Sequence, residues 1–280
     1  MWLDRKVTAR LQWRVGPPWY QGFADIIKLF GKETILPESA GWVFLAAPYL
    51  GFLSLVLAST MIGRSLILLQ ESFTGDLIVV LYVLNMPAIA LIIGASSSRN
   101  PLAAVGASRE MKLILGYELP FLLSVITVIV RSQGAIRLNQ ILGYQLLHGS
   151  HLISYSGALA FIAAIFCAQA KIGLPPFDIS EAEQEIMGGT LIEYSGIPLA
   201  IFKLSKAVLL YTLPLFLILL FFGRDVSPAI LALKLILIVV AFILIKNTNP
   251  RLRIDQALKF FWGPVTLLAL ISVILAAIGL

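Results

Sequence analysis

Seven long apolar stretches decide what this chain can fold into. They run approximately over 41–63, 75–95, 115–131, 152–170, 198–222, 229–246 and 260–280, and about 20 apolar residues as a helix cross the hydrocarbon core of a bilayer. Backbone N–H and C=O groups in lipid must be satisfied within the segment, so these stretches read as helices and not as open strands. The apolar–polar alternation of a membrane barrel is absent. Only 13% of the 280 residues are charged and 59% are hydrophobic, with a mean hydropathy of +0.93. A soluble domain carries roughly a quarter charged residues, so this chain has too little charge to coat one. The expected fold is all-α: one polytopic membrane helix bundle over 1–280, with about seven spans.

Excess Lys and Arg accumulate in cytoplasmic loops. Arg5, Lys6, Arg10, Arg14, Lys28 and Lys32 precede the first span; Arg99, Arg109 and Lys112 follow the second. Lys171 follows the fourth, and Lys246, Arg251, Arg253 and Lys259 follow the sixth. The opposite set holds only Arg64, Arg131, Arg137 and Arg224. The N-terminus and the 171–197 loop are therefore expected in the cytoplasm of a multi-pass cell-membrane protein. The same rule accounts for the net charge of +6, and no nucleic-acid module is present. MWLDRK reaches charge by the fourth residue with no apolar run behind it, unlike a secretory signal. Over 18–37, Phe23, Ile26, Ile27 and Phe30 recur at helical spacing between charged residues, which predicts an amphipathic helix lying in the interface or against a partner.

Cys167 is the one cysteine and sits in an apolar run, so the chain has no internal disulfide and Cys167 is expected to be a packed small residue. His148 and His151 alone would leave a metal short of ligands. The chemistry concentrates in LPPFDISEAEQEIMGGTLIEYSG, residues 174–196, which carries Asp178, Glu181, Glu183, Glu185 and Glu193 of the chain's 15 acidic residues. Pro175 and Pro176 end the helix before it, and Asp178 or Ser180 can cap a new one through D-x-x-E or S-x-x-E spacing. Glu181 and Glu185 would then share a face, and Gly188 and Gly189 would loosen or break the helix. Crowded, half-buried carboxylates shift towards neutral pH and can relay protons; a solvated acidic loop docking a basic partner is the other reading. Glu118 falls inside a span near its cytoplasmic end, where an acid is costly and functional by default. Lys203 and Lys206 share one face of the fifth span, Lys206 placed to answer an acid and Lys203 to snorkel.

RKVTARLQWRVGPPWYQGFADIIKLFGKE (5–33) and the 174–196 segment resemble the two signature regions of the H-subunit family of respiratory complex I, the NADH-quinone oxidoreductase. That family includes the corresponding membrane subunit of membrane-bound hydrogenases and sulfane reductases. GASSSRNPLAAVGASREMKLILGYELP (94–120) and NPRLRIDQALKFFWGPVTLL (249–268) extend the resemblance over essentially the whole chain. It implies a non-catalytic subunit that couples electron transfer in a peripheral iron–sulfur module to H⁺ or Na⁺ translocation. It also implies an ion-coupling relay of Glu118, Asp178, Glu181, Glu183, Glu185, Glu193 and Lys206, and a junction with the peripheral arm at Arg14, Gly16, Pro17, Asp25 and Lys28.

Implied partners are peripheral iron–sulfur and hydrogenase-like subunits, antiporter-like and small membrane subunits, and the lipid bilayer. No cofactor is expected on this chain, the iron–sulfur clusters belonging to partner subunits. Two departures from the pattern stand out. The family usually has eight spans, one of them ahead of the 5–33 region, so a start assigned too late is the expected explanation; an intact mass near 30.6 kDa would overturn it. GPPWYQGFADIIKL is short and hydrogenase-like, and Lys206 stands where the quinone branch tends to carry an acid. Both favour a ferredoxin-dependent hydrogenase or sulfur-reducing complex, with a quinone-chamber subunit as the alternative and a stand-alone transporter as the third reading.

Overall fold

The computed structural model describes residues 2–37, 41–67, 73–223 and 227–280, and leaves the side chains of Ile67 and Glu183 undescribed; Arg224 lies outside these residues. Apolar composition makes helices the only economical answer here, and no strand occurs among the described residues. Two short helices come first, α1 (Trp2–Leu11) and α2 (Gln21–Phe30). Next are α3 (Trp42–Ile67), α4 (Asp76–Ser97) and α5 (Pro101–Arg131), then α6 (Leu138–His148) and α7 (Tyr155–Ile172). The acidic segment contains the one-turn α8 (Glu183–Ile186). It leads into α9 (Gly196–Leu217), α10 (Pro228–Thr248), α11 (Ile254–Phe260) and α12 (Thr266–Ile278).

Among the described residues, seven helices are long and apolar enough to cross a membrane, and each coincides with one of the seven expected stretches. α9 continues through a π-helical turn at Ile218–Phe222, and α11 joins α12 through another at Phe261–Val265. Both make single spans. The third span starts at Pro101 and not at 115. Asn100 caps it, accepting from the Leu102 N–H, and Pro101 occupies the first turn where its missing N–H costs nothing. Arg109 and Lys112 are consequently helical residues, not loop charges. At 31 residues α5 is about 46 Å long, against about 30 Å of hydrocarbon, so its first turns rise out of the apolar layer.

α5 packs against α4, α7, α11 and α12, and its Tyr117 and Phe121 are wholly buried, as are Phe216, Phe242 and Phe261 of the same core. α9 is the most enclosed span, 67% buried across its apolar window, whereas α10 is only 22% buried and lies on the rim. Leu53, Tyr82, Leu115, Leu237 and Leu267 are more than half exposed on the outer faces, where a bilayer or neighbouring helices replace water. Alternation of the spans brings α1, α2, the acidic segment and the α4–α5 and α10–α11 connections to one end. α6 and the C-terminus share the other.

Candidate functional site

The acidic segment is built by what its backbone cannot do. α7 ends at Gly173, whose left-handed conformation (φ +66°) lets Gly173 N–H bond to Ala170 O and Leu174 N–H to Gln169 O. Pro175 and Pro176, joined by a cis peptide, carry no N–H. A single capped helix with Glu181 and Glu185 on one face does not form. Asp178 makes no capping bond, Ile179–Glu181 is one 3₁₀ turn, and extended Ala182 separates it from α8. The carboxylates take charged partners instead, and such bonds are about twice as strong as neutral ones. Glu181 accepts from Lys206 Nζ at 2.7 Å, Glu185 from Arg109 at 2.6 Å, and Asp178 pairs with Arg251 at 2.8 Å. Burial pushes the Asp178 carboxyl above the usual range, against the pull of Arg251.

Close backbone approach locks the segment to the bundle. A Cβ on Gly189 would lie 2.1 Å from Ser180 O, and one on Gly106 of α5 would lie 2.7 Å from Thr190 N. α8 ends at Met187, which itself takes the left-handed conformation (φ +53°) before the two glycines; Gly189 lets the segment fold back on Ser180, and Gly106 lets it touch α5. In the following EYSG, Glu193 accepts a very short bond from Asn100. Tyr194 stacks on Phe44 with ring centroids 4.1 Å apart and donates to its carbonyl, and burial pushes the Tyr194 phenol up. Ser195 accepts from Ile35 N–H and donates to Ile35 O. These residues fasten the start of α9 to α3 and to the strip after α2.

A cavity of about 580 Å³ lies between α2, α4, α5, α7, α9 and this segment. Its apolar wall comes from Pro87, Ala88 and Leu91 of α4 and Phe202 and Leu209 of α9. Its charges are Arg5, Asp25 and Lys28 on one side and Glu110, Lys171, Glu181, Lys203 and Lys206 on the other. Two acid–base pairs adjoin it, one with both members in its wall and one with only the lysine there. Lys206 meets Glu181, with buried Glu110 and Ser180 beside them. Lys171, its side chain 1% exposed, stands 3.4 Å from Glu118. Glu118 also accepts from Asn85 Nδ2 at 2.8 Å. Glu110 and Glu118 are eight residues apart on α5, about 12 Å along its axis, and the buried Tyr117 hydroxyl belongs to the same stretch of helix.

The expected relay is thus only partly one cluster. Glu181 and Lys206 meet in the cavity wall, as the helical face of Lys206 predicted, and Lys203 stays exposed. Glu118 lies midway along α5, whose first turns rise out of the apolar layer, and its partner Lys171 lines the cavity while Glu118 does not. Asp178, Glu185 and Glu193 each turn to a separate partner, and the Glu183 side chain lies outside the described residues. Of the expected junction, Asp25 and Lys28 line the cavity. The Arg5 guanidinium holds the Asp25 carboxyl below its ordinary range, tying α1 to α2. Exposed Arg14 bonds through its N–H to Ala9 O, and Gly16 (φ +73°) and Pro17 complete that turn away from the cavity. Along α2, Phe23, Ile27 and Phe30 face outward while Ile26 and Leu29 face the cavity.

Sequence reasoning missed Glu110, Lys171, Asn85 and Tyr117. Asn100–Pro101 was the available signal for Glu110, because a helix started there places it two turns before Glu118 on a related face. Lys171 was counted as a loop charge. No group of His, Cys, Asp and Glu able to hold a metal occurs among the described residues.

Comparison with known proteins adds three findings. The family model described as NADH dehydrogenase matches residues 1–277. The H subunit of NADH-quinone oxidoreductase from Thermomicrobium roseum is 33% identical, the match covering 97% of this chain and 88% of that protein. Its counterpart from Anoxybacillus flavithermus is 31% identical, covering 98% and 86%. Among solved structures, a chain of the membrane-bound sulfane sulfur reductase, an archaeal respiratory membrane complex, superposes with a TM-score of 0.90. It is 32% identical, with 98% of this chain and 92% of that one covered.

Proposed function

The chain belongs to the NADH dehydrogenase family, and from that premise we propose that it is the membrane subunit of a complex I-like respiratory complex, coupling electron transfer in a partner's iron–sulfur module to H⁺ or Na⁺ translocation. The observation that carries this reading is the arrangement of Glu181–Lys206 and Glu118–Lys171 beside one cavity. Charges inside a membrane bundle cost several kcal/mol unless paired, and here the pairs descend from the surface segment towards the middle of α5. In this reading α1, α2 and the acidic segment face the cytoplasm and a peripheral redox arm, whose clusters supply the electron chemistry.

The mechanism is electrostatic. A change of charge on a partner cluster beside the 178–193 segment drives a proton onto or off the Glu181 carboxylate. Its bond to Lys206 loosens or tightens, and Glu110, Tyr117 and Glu118 respond in turn along α5. Both the hydrogenase-like sequence at 16–29 and the sulfane sulfur reductase likeness favour a ferredoxin-fed complex reducing protons or a sulfur compound.

The test uses the intact complex in vesicles, supplied with reduced ferredoxin and with protons, polysulfide or quinone as acceptor. Glu118→Gln is expected to leave assembly and electron transfer in place while ion uptake per electron falls at least tenfold; Glu183→Gln is expected to behave likewise. Unchanged uptake in an assembled Glu118→Gln complex rejects the coupling role. A quinone-chamber subunit is the second reading, favoured by the apolar wall of the cavity and the names of the NADH-quinone oxidoreductase relatives. Quinone reduction blocked by substitutions at Phe202 or Leu91 would select it.

A further inference from the structure

Lysine is a flexible point charge that gives up its proton when desolvated, unlike arginine, so a buried lysine is worth asking what it does. Lys171 occupies the last turn of α7, where the free carbonyls of the helix end favour a cation. Its neighbours fix it weakly. The 3.4 Å approach to Glu118 Oε2 supplies attraction without hydrogen-bond geometry, whereas Lys206 and Glu181 meet at 2.7 Å. The remaining contacts are aromatic faces, Phe121 at 4.6 Å and Tyr117 at 5.7 Å from ring centroid to Nζ. Such faces hold a cation with about 0.5–2 kcal/mol and no set direction.

Four polar atoms at this spot have no hydrogen-bond partner among the described residues: Lys171 Nζ, Glu118 Oε2, Asn85 Oδ1 and the Tyr117 hydroxyl. Buried polar atoms are nearly always partnered, and apart from the loose 3.4 Å Lys171–Glu118 approach these four are not fixed by any side chain, so the spot leaves Lys171 room to change its contacts. Pro87 and Pro120 lie two residues after Asn85 and Glu118 inside their helices. Each removes one helical N–H, freeing the carbonyls of Val83 and Gly116. On its other side Lys171 is part of the cavity wall. Lys206 reaches to within 3.7 Å of the point where a Cβ of Gly173 would stand, so the two ammonium groups flank one helix end.

From this geometry we infer that Lys171 is a positioning residue that switches between Glu118 and the cavity, carrying the state of the Glu181–Lys206 pair to Glu118. The inference rests on the coupling role proposed above. With Lys206 bound to Glu181, its charge is balanced at the cavity edge, and Lys171 can leave its loose 3.4 Å approach to Glu118 for the cavity, whereupon Glu118 takes up a proton. When Glu181 takes up a proton, Lys206 loses its nearest counter-charge, with only Glu110 and Asp178 left to balance it; from the cavity edge beside Gly173 it repels Lys171 out of the cavity and onto Glu118, which is then held as a carboxylate. Regeneration of the Glu181 carboxylate reverses both steps.

The test compares Lys171→Gln and Lys171→Arg with Glu118→Gln in the assembled complex in vesicles. It reads ion uptake per electron across pH, with electron transfer and assembly as controls. The expectation is an at least tenfold loss of uptake in Lys171→Gln. Lys171→Arg should assemble normally yet pump poorly, with the pH profile of uptake flattened, because arginine keeps its charge and makes fixed bonds. Full uptake with an unchanged profile in Lys171→Arg makes Lys171 a static counter-charge and overturns the inference, as does normal uptake in Lys171→Gln. Failure of both variants to assemble also overturns it, in favour of a structural ion pair. If Glu118→Gln abolishes uptake while the Lys171 variants pump, only the inference falls. If Glu118→Gln also pumps normally, the coupling reading falls with it.

Discussion

The two ends of this bundle handle buried polarity differently. At the end carrying the acidic segment, side-chain charges meet side-chain charges from separate elements: Glu181 with Lys206 in the cavity wall, Glu118 with the cavity-lining Lys171, and Asp178 with Arg251 outside it. At the other end, polar side chains bind backbone and hydroxyl groups. Gln145 of α6 donates to the carbonyls of Leu219 and Leu220 in the π-helical turn. Asp76 accepts from Leu138 N–H. Arg131 donates to Ser156 and to the Leu280 carbonyl, and His151 pairs with Ser132. A backbone group cannot change charge, so bonds to it can only hold. Ion partners can lose or gain a proton and exchange, so that end can switch. The comparison therefore separates residues whose loss should uncouple the protein from residues whose loss should merely loosen it.

Lys206→Met should give the largest effect. It leaves Glu181 and buried Glu110 beside each other without Lys206, costing about 2–3 kcal/mol of stability given the partial exposure of the Glu181–Lys206 pair, and it should cut ion uptake per electron more than tenfold in the reconstituted complex. Normal uptake would mean that the charged end is no switch. Next comes a pH effect at the opposite end. Burial, with help from Arg131, lowers the His151 pKa to about 4 from 6.5. The folded protein thus holds His151 neutral where the unfolded chain binds a proton. Its contribution is complete above pH 6.5 and is lost as pH falls towards 4, on the order of 3 kcal/mol in all. Melting curves across that window should show this slope in the wild type and a flatter one in His151→Asn.

Gln145→Leu is expected to cost about 2 kcal/mol, because the carbonyls of the π-helical turn lose their donor. The melting temperature should drop while ions moved per electron stay the same. Loss of coupling in that variant would break the contrast between the two ends. Arg5→Ala, which removes an exposed partner from Asp25, should leave the melting temperature unchanged within error, since exposed pairs contribute little. A clear drop would show that α1 and α2 are held to each other more by charge than by packing.

All seven spans were readable because hydropathy is a local property and a bilayer demands a minimum length. The early start of the third span shows the limit. Arg109, Glu110 and Lys112 looked like loop residues because their charge outweighed the Asn100–Pro101 helix start, and with that Glu110 disappeared as a candidate. The acidic segment shows another limit. Its spacing fits a capped helix, but Arg251, Lys206 and Arg109 compete for Asp178, Glu181 and Glu185, and they come from the α10–α11 connection, α9 and α5. Lys206 was legible as the answer to an acid because a lysine three residues from another on an enclosed span needs a reason. Lys171 was not, since one lysine at a helix end looks the same whether it enters water or folds back onto α5.

By itself the sequence determined an all-helical membrane bundle, the number and place of its spans, and the segment in which acidic residues gather, since each follows from composition within a window shorter than a helix. The tertiary structure alone decided which charges meet. Glu118 faces Lys171 and Asn85, Glu181 faces Lys206, and Glu193 turns away to Asn100 because α4 packs on α5, α5 on α7 and α7 on α9, with Phe121 of α5 against Phe216 of α9. Electrostatic partnership falls off within a few ångströms, and nothing local in the chain sets those distances.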